Sequence, residues 1–84
     1  MTKTNSKEAA ILRQLKLEIK DAGFSLRGLA DAMDRDYYAV RKNLAGDTEI
    51  KLAVLLAICD QIGVPLETVI DRAEQRLRAP SRKG

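Results

Sequence analysis

Residues 25–46 read S-L-R-G-L-A-D-A-M-D-R-D-Y-Y-A-V-R-K-N-L-A-G, and the fold turns on this stretch. Ser25 is a good helix N-cap, because its side-chain oxygen accepts one of the N–H groups that a first turn leaves free. After it Leu26, Leu29, Ala30 and Met33 recur at three- and four-residue spacing, the period of a short helix with one apolar face. Met33-Asp34-Arg35-Asp36 breaks that period. Asp36 caps a further helix, Tyr37 to Ala45, with Tyr37, Val40 and Leu44 inward and Gly46 at its end. Ala30 is small where the two helices cross, and Val40 fills the angle between them.

Working outward, Asn5 or Ser6 caps an upstream helix that ends at Gly23. In it Ile11, Leu12, Leu15, Ile19 and Ala22 share a face, and Arg13, Gln14, Lys16, Glu18 and Lys20 are expected in water. Leu17 lies off that stripe. Downstream, a helix from about Lys51 to Ile62 carries Leu52, Leu55, Leu56, Cys59 and Ile62 on the face expected inward and ends at Gly63. Val54, Ala57 and Ile58 lie off that face, so the helix is either central and covered on both sides or presents a second apolar patch to a partner. Pro65 suits the first position of a last helix, with Leu66, Val69, Ile70, Ala73 and Leu77 as its stripe. The expectation is an all-α bundle of five helices, a folded domain over residues 7–78 between flexible arms 1–6 and 79–84.

Composition narrows the chemistry. Eighty-four residues make one small domain. Histidine is absent and Cys59 is the single cysteine, so a disulfide framework, a Cys/His metal site and a His-based catalytic triad are excluded. Cys59 reads as a buried small hydrophobe. There is no glycine-rich phosphate loop and no convergent set of acid and base groups; Asp34 and Asp36 flank a turn, and capping accounts for Asp36. A non-enzyme without cofactor is expected. With no apolar run long enough for a membrane span and no signal-peptide pattern, the expected location is the cytoplasm. The net charge is +3, distributed unevenly. Residues 25–53 carry five basic and five acidic side chains, whereas residues 1–24 carry five against three and residues 54–84 five against four. The lean toward a polyanionic partner is slight.

Residue types on the outer face of helix 37–45 are more telling: Tyr38, Arg41 and Lys42, with Tyr37 near its start, are groups that reach base edges or phosphates. Here the chain resembles the lambda-repressor-like, or Cro/XRE-type, helix-turn-helix DNA-binding domains. The resemblance rests on S-L-R-G-L-A-D-A-M (25–33), Y-Y-A-V-R-K-N-L-A-G (37–46) and I-K-L-A-V-L-L-A-I-C-D-Q-I-G-V (50–64). The helix-turn-helix falls at about 25–45, and the outer helices fit the rest of the family's five-helix bundle. Three positions depart from the family pattern: Asp34 stands where a glycine is usual, Arg35 where an apolar residue is preferred, and Glu49-Ile50 where a proline is common. Asp34 tolerates a left-handed backbone better than most residues.

The resemblance implies sequence-specific duplex DNA binding by a homodimer, with helix 37–45 in the major groove of a palindromic operator. On it, Tyr37, Tyr38, Arg41 and Lys42 are expected base contacts; Tyr37 serves equally as a core residue by its spacing to Val40 and Leu44. Ser25, Arg27, Thr48 and Lys51 are expected phosphate contacts, and Lys3, Lys7, Arg82 and Lys83 non-specific ones. The dimer interface is assigned to the last helix and to Val54 and Ile58. A transcriptional repressor of phage, prophage or mobile-element type is the leading expectation. The alternatives are an antitoxin that binds a toxin and represses its own operon, and the controller protein of a restriction-modification system.

Overall fold

In the computed structural model, which describes residues 6–78, the chain forms five α-helices: α1 (Ser6–Asp21), α2 (Leu26–Ala32), α3 (Tyr37–Ala45), α4 (Leu52–Ile62) and α5 (Leu66–Arg78). No strand occurs among the described residues. The all-α expectation holds, and each helix lies within a residue or two of its expected bounds. Asn5, Lys3 and the 79–84 tail with Arg82 and Lys83 lie outside the described residues. Ser6, expected in an arm, is instead the first residue of α1.

Local chemistry sets the helix ends. Ser25 Oγ accepts the Gly28 N–H at 3.0 Å, and Asp36 Oδ2 accepts the Ala39 N–H at 3.0 Å, so both caps between residues 25 and 36 are in place. Four helices close in one way, a left-handed residue after the last turn with the following N–H reaching back five residues. The bonds are Phe24 N–H to Ile19 O at 3.1 Å, Arg35 to Ala30 at 2.9 Å, Asp47 to Lys42 at 3.0 Å and Val64 to Cys59 at 3.1 Å. The left-handed residue is glycine at 23, 46 and 63, and Asp34, with φ 56°, at the remaining one. Asp34 thus takes the backbone state that glycine adopts freely, which makes the turn between α2 and α3 possible without one. Pro65 is the N-cap of α5 rather than its first residue: its carbonyl accepts from Thr68 and Val69 N–H at 3.0 and 3.2 Å.

Leu15, Ile19, Leu29, Val40, Leu44, Ile58 and Val69 form the fully buried centre, and every helix contributes to it. The most extensive pairing is α1 against α5, and α2 packs on α3. At Gly63 the chain turns so that α5 runs at 97° to α4. Ala22 and Leu77, expected on inward stripes, are exposed, and the faces of α1 and α4 also differ from expectation. Gln14 and Glu18, expected in water, are each only 5% exposed, because α1 is covered by α5 on one side as well as by the core on the other. Arg72 of α5 reaches across with Nη1 at 2.8 and 2.7 Å from the two Glu18 carboxylate oxygens, and Gln14 Nε2 donates to Glu18 at 2.7 Å. The second correction concerns α4. Val54 and Ile58, assigned to a dimer interface, are buried in this chain's own core with Cys59 and Ile62, so neither is available to a partner. Leu52 and Leu56, expected inward, are instead 61% and 50% exposed. At 100° per residue the buried face is turned by about 60° from the expected one. The two faces share Leu55, Cys59 and Ile62, and apolar residues cover so much of the helix that periodicity does not choose between them.

Candidate nucleic-acid interface

The outer face of α3 is built on two inward anchors, Val40 and Leu44, both buried. They fix the rotation of the helix and turn Tyr38, Arg41 and Lys42 outward, all three exposed. Tyr38 is 59% exposed, and Arg41 and Lys42 follow it by three and four residues, so the three side chains share one helical face. Neither Arg41 nor Lys42 has an ion-pair partner among the described residues. The face is therefore cationic and aromatic, with donors uncommitted to the protein.

Tyr37 stands between the roles foreseen for it. Its ring is half-buried against the core, and the Arg27 guanidinium lies over it, 4.2 Å from the ring centroid. Tyr38 meets Tyr37 edge-on, with centroids 5.1 Å apart and planes at 69°. Arg27 of α2 is thereby tied to α3 by a cation–π contact, and Arg27, Tyr37 and Tyr38 form one cluster across the two helices. Ser25, exposed at the start of α2, accepts a hydrogen bond through Oγ and keeps its hydroxyl proton for another acceptor. Gly28 leaves room for this cap, since a Cβ there would sit 3.1 Å from Ser25 Oγ.

The other expected contacts are dispersed. Thr48 and Lys51 are exposed on the α3–α4 loop, and no interaction joins them to the cluster on α3. Lys7 is paired with Glu74 of α5 at 3.1 Å. Cys59 is buried as expected, and burial first, then the negative charge of Glu18, raises its thiol pKa; a neutral thiol packs there as an apolar group. Among the described residues no group of three or more His, Cys, Asp or Glu side chains could hold a metal ion, and no single helix is long and apolar enough to cross a membrane. The sequence pattern did not reveal the exposed Leu52–Leu56 ridge, and no residue type marked it. Comparison with protein-family models, curated protein sequences and solved structures finds no match to this chain.

Proposed function

We propose that this chain is a DNA-binding transcriptional regulator of the lambda-repressor-like type, in which α2 and α3 form a helix-turn-helix and α3 enters the major groove. The observation that carries it is the outward face of α3, Tyr38, Arg41 and Lys42 on a helix rotationally fixed by Val40 and Leu44. Arg41 and Lys42 pair with guanine O6 and N7, a good bidentate contact contributing about 1–3 kcal/mol of discrimination. Tyr38 packs on a thymine methyl or bonds a base edge. Arg27, held over Tyr37, and the Ser25 hydroxyl at the α2 N-terminus serve the phosphate backbone, placing the protein without reading sequence. Thr48 and Lys51 add phosphate contacts from the loop.

Such a module acts as a homodimer on a two-fold symmetric operator and represses by occupying promoter DNA, as in phage, prophage or other mobile elements. With Val54 and Ile58 in the core, self-association is assigned to the exposed ridge of Leu52 and Leu56. The same ridge also supports the second reading, a module that binds another protein such as a toxin while controlling its own operon. No catalytic step and no cofactor is assigned.

Selection of duplexes from a randomised pool tests the proposal. The expected result is a two-fold symmetric site with half-sites about one helical turn apart, lost in the Arg41→Ala/Lys42→Ala variant. Binding is expected to weaken with salt at a moderate slope, since residues 25–53 have no net charge. Absence of any enriched sequence, or enrichment that the variant retains, overturns it.

A further inference from the structure

A concavity of about 580 Å³ lies between α1 and the α3–α4 loop, continuing to α4. Its floor is apolar: Ile11 and Leu12 of α1, Ile50 of the loop and Leu55 of α4. Its lining carries three carboxylates, Glu8 of α1, which has an interaction of its own, and Asp47 and Glu49 of the loop, both exposed and neither in an ion pair with any described residue. Among the described residues no lysine or arginine lines it. Tyr38, Arg41 and Lys42 lie outside it, whereas Thr48, assigned a phosphate contact, lines it.

We propose that this cleft binds a small amphipathic amine, its apolar body on Ile11, Leu12, Ile50 and Leu55 and its ammonium between Asp47 and Glu49. The volume falls in the range of about 300–1,000 Å³ typical of small-ligand sites, and an apolar floor with a few polar groups is their usual make-up. The sign of the charge decides the class. An ammonium enters a lining whose charged side chains are all carboxylates, Glu8, Asp47 and Glu49, while a carboxylate of equal size meets only like charge, so the site discriminates by repulsion as well as attraction. Thr48 forms part of the same wall, so the occupant touches the loop that Lys51 ends. A consequence for operator affinity rests on the DNA-binding function proposed for α3; binding in the cleft does not.

Titration of the ¹⁵N-labelled full chain at pH 7, without DNA, tests the site. The probes are 4-phenylbutylamine, its charge-reversed counterpart 4-phenylbutyrate, and a short basic amphipathic peptide. The expected result is saturable amide shifts at residues 11–12 and 46–50 with the amine and none with the carboxylate. Asp47→Asn and Glu49→Gln, both at exposed positions that leave the fold intact, are each expected to weaken the amine by about two- to fivefold, the range of exposed ion pairs. Equal saturation by the carboxylate, shifts centred on Leu52 and Leu56, failure of the amine to saturate, or binding of the peptide alone overturns the proposal. Each of these outcomes is read without reference to whether an operator is found.

Discussion

Helices α3 and α4 both turn two apolar anchors four residues apart into the core, Val40 and Leu44 in one, Val54 and Ile58 in the other. They differ in what faces the opposite way. On α3 the outward side chains are Tyr38, Arg41 and Lys42, whose polar ends are satisfied by water or a ligand; on α4 they include Leu52 and Leu56. The orientation of α3 is thus fixed twice, by what the core accepts and by what the surface requires. That of α4 is fixed by packing alone, and its exposed leucines are a candidate contact surface because no solvation argument holds them outside.

Placing a carboxylate on each side of α4 is the most direct way to break that contrast. Ile58→Glu puts an unpaired charge at a site with no solvent access, a change expected to cost about 3–5 kcal/mol. Since whole domains are stable by only about 5–15 kcal/mol, this is a large share of the total, and urea denaturation followed by circular dichroism should find the midpoint of this variant markedly lowered. Leu56→Glu, on the exposed side, should stay within about 0.5 kcal/mol of the parent and keep its helical spectrum. If the proposed homodimer forms through this ridge, sedimentation should find Leu56→Glu monomeric at concentrations where the parent associates. An Ile58→Glu as stable as the parent would mean the helix is rotated otherwise; a dimeric Leu56→Glu would move self-association elsewhere.

A second contrast sets α1 beside α3. Here polar residues are inside: the Glu18 side chain is 6% exposed and takes both bonds from Arg72. The Arg72 hydrogen bond, aided by Gln14, holds the Glu18 carboxyl below its ordinary value against the opposing effect of burial. A folded-state pKa below the unfolded one contributes stability that is fully present above the unfolded value, about 4.3, and is lost as pH falls through the folded value. Glu18→Gln should therefore lower the melting temperature by roughly 5–10 °C at pH 7, on the scale usual for a domain of this size. The difference from the parent should shrink steadily below about pH 4. A gap independent of pH would show that shape, not charge, is what Glu18 contributes.

These contrasts also explain what could be read from residues alone. The caps at Ser25 and Asp36 and the glycines at 23, 46 and 63 are local devices: residue type and backbone state are linked within four or five positions, so the sequence displays them. The outward face of α3 was legible for the related reason that its polar and apolar residues segregate. The burial of Gln14 and Glu18 was not, because it depends on Arg72, fifty-four positions later, and nothing in α1 announces a partner so distant. Val54 and Ile58 were misplaced because an apolar helix offers several acceptable faces. The cleft beside Asp47 and Glu49 arises from the juxtaposition of α1, a loop and α4, and has no signature in any one of them.

The turn between α2 and α3 offers the smallest effect and the cleanest comparison. Asp34 adopts φ 56° and Gly63 adopts φ 76° in equivalent closures, so opposite substitutions at the two sites probe one backbone state. Gly63→Ala adds a Cβ that meets no atom within 4 Å, which leaves the left-handed conformation as its main penalty, about 1 kcal/mol. Asp34→Gly should reverse the sign and gain less, about 0.5 kcal/mol, because aspartate already tolerates this region and glycine adds entropy to the unfolded chain. Urea denaturation of both variants against the parent measures this directly. If Asp34→Gly destabilises, the aspartate side chain contributes to the turn beyond its backbone state. If it stabilises and the selected duplex is unchanged, the turn serves only to set α3 against α2, and the proposed reading of DNA rests with the side chains on α3 itself.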